Sequence, residues 1–168
     1  MLSERLLLAL SGIRPSEGQR VVEPWSDDNA LDLLRREFPD FDRDVRGRRI
    51  LDYGCGQGWQ SAALARQGAE FVMGVDTNPW CLDGARALAH RHRLSEQRLS
   101  FASAVPEGAV GTFDVAISQN SFEHFADPGA ELRTMRNALR PGGRLFITFG
   151  PPWLAPTRGH MYFFTRVP

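Results

Sequence analysis

Lysine is absent from this chain of 168 residues, whose twenty basic residues are all arginine and are matched by twenty acidic ones. The zero net charge removes the long-range field of a general nucleic-acid binder, and without lysine there is no Gly-x-x-x-x-Gly-Lys phosphate loop. Cysteine occurs twice, as Cys55 and Cys81, too rarely for a disulfide framework. Zinc needs about four clustered ligands. His90 and His92, two residues apart on an expected helix, do not share a face, so no metal site is expected. The apolar run Leu6-Leu7-Leu8-Ala9-Leu10 follows Glu4 and Arg5 and is far shorter than the ~20 residues of a membrane span. It is also short for a signal segment, and a cytoplasmic location is the default expectation. The length suits one domain with one core, and 42% hydrophobic and 24% charged residues are ordinary for a globular chain.

What is present is concentrated between Ile50 and Trp59, which read Ile-Leu-Asp-Tyr-Gly-Cys-Gly-Gln-Gly-Trp. An apolar strand ends in Asp52, and Gly54, Gly56 and Gly58 follow at alternate positions. Such glycines reach backbone angles closed to other residues and leave no side chain between main chain and ligand. The helix formers of Gln57 to Gln67 place a helix N-terminus directly after them. A second strand-like run, Phe71-Val72-Met73-Gly74-Val75, ends in Asp76, where a carboxylate is placed to accept bonds from ribose hydroxyls. A tight strand-to-helix turn with a capping aspartate explains one such loop, but two acid-tipped strands favour a nucleotide site. A dinucleotide fingerprint, Gly-x-Gly-x-x-Gly, is off by one, since Trp59 stands where the third glycine belongs.

Periodicity predicts strands at Arg49–Asp52, Phe71–Asp76, Leu99–Ser103, Phe113–Ser118 and Arg144–Phe149. Helices are expected over Gln57–Gln67, Trp80–His92 and Pro128–Leu139. A further helix, Asn29 to Phe38, follows a cap at Ser26-Asp27-Asp28. Strands alternating with helices imply an α/β fold, a doubly wound, mainly parallel sheet covered on both faces. Ligands of such sheets lie off the carboxyl ends of the strands, where strand order reverses. Residues 1–47 read as an N-terminal helical segment, 48–150 as the core and 151–168 as an aromatic tail of the same domain.

These residues resemble the nucleotide-binding half of class I S-adenosylmethionine-dependent methyltransferases. Phe113-Asp114-Val115-Ala116-Ile117-Ser118 is similar to the family's fourth strand. Phe122-Glu123-His124-Phe125-Ala126-Asp127-Pro128 resembles the Glu-His…Asp-Pro segment of its small-molecule branch, and Leu139-Arg140-Pro141-Gly142-Gly143-Arg144-Leu145 resembles the turn before its fifth strand. The likeness runs from about Arg48 to Gly150. It implies a Rossmann-like methyltransferase fold with S-adenosyl-L-methionine as cofactor. Asp52, Gly54, Cys55, Gly56 and Gly58 would meet its methionine end, with Gln119 on the same moiety. Asp76, Thr77 and Asn78 would meet the ribose. Ser103 and Ala104 would stand by the adenine, where the family pattern usually has an acid.

The methyl sits on a sulfonium, so the protein chiefly aligns nucleophile and methyl. His124 is the one candidate catalytic base, because its ordinary pKa lies near neutrality. The competing reading gives it a structural role at the loop-to-helix junction. Nucleic-acid amino-methylation is disfavoured, since Gln119-Asn120-Ser121-Phe122 replaces the Pro-Pro-aromatic turn after strand four, and Gly150-Pro151-Pro152-Trp153 follows strand five instead. The cluster Arg86, Arg91, Arg93 and Arg98 with His90 and His92 reads as the solvated face of a helix. A small-molecule or lipid-like acceptor remains. Only eighteen residues follow Gly150, fewer than the family's sixth and seventh strands require, so an incomplete sheet is expected. Tail residues Trp153, Tyr162, Phe163 and Phe164 either fold over its edge or pair two copies in a homodimer. The alternatives for function are a cofactor-binding module without activity and, less favoured, an NAD-dependent oxidoreductase.

Overall fold

Apolar runs of four to seven residues, bounded by glycine, proline or acidic residues, build a single sheet in the computed structural model, which describes residues 26–148. Helices α1 (Asp32–Glu37) and α2 (Phe41–Val45) precede strand β1 (Arg49–Tyr53). There follow α3 (Trp59–Arg66), β2 (Phe71–Val75), α4 (Pro79–Arg91), β3 (Leu99–Ala102), β4 (Phe113–Gln119), α5 (Pro128–Ala138) and β5 (Leu139–Thr148). Short 3-10 turns occupy Glu107–Ala109 and Phe122–His124. The five strands pair in the order β3-β2-β1-β4-β5, every neighbouring pair parallel. Strand order therefore reverses between β1 and β4, and the crevice off their carboxyl ends is where such a sheet takes a ligand.

Alternation along the strands divides the core. Ile50, Val72, Val115, Ile117 and Phe146 face one side, against Leu31, Leu34, Phe41 and Val45 of the α1–α2 segment, Leu64 of α3 and Leu88 of α4. Leu51, Val75 and Ala116 face the other, with Phe113 joining them at the irregular start of β4, and Met135 and Ala138 of α5 cover them. Both faces are buried, as a parallel sheet requires.

Helices α4 and α5 start as their sequences dictate. Asn78 accepts a bond from the Trp80 amide and Asp127 one from the Ala130 amide, each with proline in the first turn. The N-terminal helix is shorter than expected. Residues 27–31 form turns, the Ser26 amide donates to Asn29 Oδ1, and α1 begins at Asp32 without a side-chain cap. Helix α2 has no counterpart in the sequence reading, because its apolar signal is a single pair, Phe41 and Val45, four residues apart and both buried. Strand β5 begins at Leu139 rather than Arg144. Its register with β4 steps from Phe113↔Leu139 to Val115↔Arg144, so three extra residues form a bulge. Gly142, at φ +78°, makes that step possible. Phe149 and the tail expected to cover the sheet edge or pair two copies lie outside the described residues, as does the apolar run at residues 6–10. Among the described residues no helix is long and apolar enough to cross a membrane.

Candidate functional site

The glycine loop is fastened to the tip of β2. The amides of Gly54 and Cys55 both donate to the Val75 carbonyl, at 2.8 and 3.0 Å, and the Gly56 amide donates to Asp76 Oδ2 at 2.9 Å. The other Asp76 oxygen accepts from the Asn78 amide at 2.8 Å. Asp76 is thus a loop anchor as well as a strand-tip acid. Each carboxylate oxygen retains a second lone pair for a ligand hydroxyl. Gly54, Gly56 and Gly58 all have positive φ, at +78°, +52° and +79°. Two of them are glycine for packing as much as for ligand approach. A Cβ on Gly54 would stand 2.5 Å from Ser121 Cβ, and one on Gly58 would stand 2.8 Å from Ala85 Cβ and 2.9 Å from the Phe101 ring.

Asp52 lies on the α3 face of β1 and is 1% exposed. Gln60 Nε2 donates to its Oδ1 at 2.7 Å, and the Ser61 hydroxyl donates to its Oδ2. Burial pushes its carboxyl from the ordinary 3.8 up to about 6; the bonds from Ser61 and Gln60 oppose the rise, and the charge of Asp76 adds to it. Because Gln60 gives its Nε2 to Asp52, its Oε1 points elsewhere, and that buried oxygen has no partner. Gln119, the last residue of β4, presents a second buried carboxamide oxygen without a partner. Asp52 pairs in register with Ile117, so Gln119, two residues on, shares its face. Near the carboxyl ends of β1 and β4 there are thus a buried carboxylate and two buried acceptors without partners, a deficit that N–H donors would satisfy.

Beyond Gln119 the chain turns sharply. Asn120 adopts φ +50°, which asparagine tolerates better than most residues, and its amide donates to the Thr148 carbonyl at 3.1 Å. The Ser121 hydroxyl lies 2.7 Å from that of Ser118 and donates to the Tyr53 carbonyl at 3.2 Å, tying the turn after β4 to the glycine loop. The Tyr53 hydroxyl donates to Glu131 of α5, and burial together with that carboxylate raises its pKa. The Tyr53 and Phe122 rings each meet Phe125 edge-on, at 5.7 and 5.6 Å between centroids.

The other expected residues occupy the same strand ends in different states. Cys55 is buried inside the loop, and its thiol donates to the Gly56 carbonyl at 3.7 Å. Thr77 is exposed, and the Asn78 carboxamide oxygen caps α4. Ser103 and Ala104 are exposed just past β3. His124 is exposed in the turn at Phe122–His124, its amide donating to the Ser121 carbonyl at 3.0 Å. Among the described residues no group of three or more His, Cys, Asp or Glu is arranged to hold a metal. The arginine cluster serves its own helix and its neighbours: Arg86 pairs with Asp83 at 3.1 Å, Arg91 lies 5.6 Å from the Trp59 ring centre, and Arg98 donates to the Ala65 carbonyl at 2.9 Å. A concavity of about 570 Å³ lined by Arg136, Leu139, Arg140 and Gly143 lies at the opposite end of the sheet from the loop. Gln60, Ser61 and Ser121 are the functional neighbours that sequence reasoning passed over. The signal for the first two was a pair of polar residues opening an otherwise apolar helix, Trp59–Arg66.

Comparison with known proteins gives this crevice a family. Residues 25–163 match the family model described as a methyltransferase domain. The ubiquinone biosynthesis O-methyltransferase of Neisseria meningitidis serogroup C is 31% identical over 138 residues, covering 77% of this chain and 58% of that protein. That of Ruegeria pomeroyi is 40% identical over 121 residues, covering 67% of this chain and 48% of the relative. The chain thus spans about half the length of the curated relatives it matches. An S-adenosylmethionine-dependent methyltransferase from Mesorhizobium loti superposes with a TM-score of 0.56 at 29% identity, over 72% of this chain and 54% of that one. The chain therefore belongs to the methyltransferase domain family, on the fold of the S-adenosylmethionine-dependent enzymes.

Proposed function

We propose that this chain binds S-adenosylmethionine in the crevice between β1 and β4 and transfers its methyl group to a hydroxyl of a small-molecule or lipid-like acceptor. The observation that carries the reading is the pair of buried, unpartnered oxygens, Gln60 Oε1 and Gln119 Oε1, beside the buried Asp52 carboxylate. Acceptors of this kind suit the ammonium of the cofactor's methionine end. Asp76 offers its remaining lone pairs to the ribose, with Thr77 beside it, and the Gly54–Gly58 loop brings main chain close to the ligand. Ser103 and Ala104 border the adenine. Their exposure leaves that end of the site open. Bound there, S-adenosylmethionine supplies an electrophilic methyl on a positively charged sulfur. The chain's own part is to orient the acceptor, exclude water and receive a proton, for which exposed His124 is the candidate group.

Hydroxyl as the receiving group is taken from the relatives, whose names describe O-methyltransferases. The reading includes a cytoplasmic site of action, no nucleic-acid partner, and self-association through residues 151–168. A nicotinamide cofactor is disfavoured because Trp59 heads α3 where the dinucleotide fingerprint needs glycine. Calorimetric titration with S-adenosylhomocysteine and with NAD tests the assignment. Asp76→Ala should cost roughly 1.5–3 kcal/mol for each charge-assisted ribose bond removed. Equal affinity in wild type and variant, or binding of NAD alone, would overturn it.

A further inference from the structure

A third buried polar atom without a partner lies in register with Gln119. Thr148, the last residue of β5, is 7% exposed, and its Oγ1 has no hydrogen-bond partner. It pairs in register with Gln119, and Phe146, two residues earlier, packs into the same core layer as Ile117. Asp52, Gln119 and Thr148 therefore stand on one face at the carboxyl ends of three adjacent strands, in the order β1, β4, β5. A buried hydroxyl left without a partner is uncommon and costs free energy in the folded chain, so it calls for a ligand.

Thr148 also lines a groove of about 410 Å³, with Leu33, Arg36, Glu37 and Phe38 of the α1 segment and Ile147. Its volume falls in the range of small-molecule sites. Phe38 is held by the Phe146 ring, 4.8 Å away between centroids, and gives the groove a fixed aromatic wall. Leu33 is apolar, and Arg36 and Glu37 are exposed; the Ile147 side chain, one residue before Thr148, turns to the other face of β5. One buried hydroxyl with apolar and aromatic walls suits a molecule with one hydroxyl head and an apolar body. The hydroxyl head would lie next to Gln119, on the side of the crevice away from β2.

We propose that the groove between α1 and β5 is the acceptor subsite, that Thr148 Oγ1 binds the acceptor's hydroxyl, and that Leu33 and Phe38 hold the apolar body of the molecule that carries it. This rests on the methyl-transfer reading above. Thr148 fixes the position of the acceptor oxygen by donating its own O–H to it, which leaves the acceptor's proton for a base and another oxygen lone pair for the crevice.

The test uses 4-hexylphenol and phenol as probes, titrated into the full chain saturated with S-adenosylhomocysteine. S-adenosylhomocysteine binding is measured first; if it fails, the methyl-transfer reading falls, and this subsite with it. Given that binding, Thr148→Val, which keeps the shape and removes the hydroxyl, should weaken 4-hexylphenol about 3- to 10-fold, and Thr148→Ser should restore it. Leu33→Glu should weaken 4-hexylphenol more than phenol and leave S-adenosylhomocysteine affinity unchanged. Unchanged 4-hexylphenol affinity in Thr148→Val or in Leu33→Glu, with S-adenosylhomocysteine still bound, would overturn the subsite alone. So would loss of 4-hexylphenol binding only in proportion to a loss of folded protein, read by circular dichroism.

Discussion

Replacing Asp52 with Asn isolates the electrostatic cost of the buried acid. In the folded protein its carboxyl titrates at about 6 instead of 3.8. At about 1.4 kcal/mol per factor of ten, that makes the ionised form roughly 3 kcal/mol less favourable than in the unfolded chain. The folded pKa is the higher one. Between about pH 4 and pH 6 the folded protein keeps a proton that the unfolded chain has lost, so this group's contribution to stability falls as pH rises through that window. The carboxamide of the Asp52→Asn variant carries no charge and escapes the loss. The Gln60 side chain can turn to bring its unpartnered Oε1 to the new amide, and any imperfect rebonding is a pH-independent offset of roughly 1 kcal/mol. Urea unfolding of wild type and Asp52→Asn at pH 4.5, 5.5, 6.5 and 7.5 should show the difference moving in the variant's favour by about 2 kcal/mol across the series, about 1 kcal/mol of the full effect being already present at pH 4.5. S-adenosylhomocysteine affinity at pH 7.5 should fall in the same variant, because the ligand's ammonium loses a negative neighbour. A stability difference that is flat with pH, or that moves toward wild type as pH rises, would refute the account of Asp52 as a costly buried charge.

Gly58→Ala combines a left-handed backbone with a Cβ 2.8 Å from Ala85 and should lose roughly 2–4 kcal/mol, whereas Gly111→Ala, at φ +70° with nothing within 4 Å, should lose only about 1 kcal/mol; paired urea melts check the contrast. His124→Ala should lower turnover by less than about tenfold, since its side chain stands exposed to water at the loop-to-helix junction; a loss of 10²–10⁴-fold at unchanged melting temperature and cofactor affinity would make it the general base.

The parts of the fold visible in sequence are those with local physical causes. Strands β1 to β4 stand within one residue of their expected ends, because each is an apolar run stopped by glycine, an acid or a polar pair. Helices α4 and α5 are legible from Asn78-Pro79 and Asp127-Pro128, where cap and proline coincide. What escapes is non-local. The start of β5 depends on how its chain pairs with β4, and a Pro-Gly-Gly sequence that reads as a turn is instead carried as a bulge. Gly54 and Gly58 read in sequence as openings for a ligand, whereas their nearest neighbours are Ser121, Ala85 and Phe101 from distant segments. The roles of Gln60 and Thr148 rest on what their side chains fail to meet, and composition carries no trace of that. The acids Asp52 and Asp76 stand out because a carboxylate at a strand tip is conspicuous, but the loop-holding bonds of Asp76 emerge only in three dimensions.

The bulge at Pro141–Gly143 sets where this chain can change its length. Three surplus residues are taken up at the start of β5, and from Val115↔Arg144 onward the two strands run in step to Gln119↔Thr148. Residues added or removed at that lower rim would enlarge or shrink the bulge and leave the pairing at the upper rim as it is. The same change after Ile117 would move Gln119 to the opposite face and take its carboxamide out of the crevice. One rim is thus free to drift in sequence, and the other is held to single-residue accuracy by the chemistry above it.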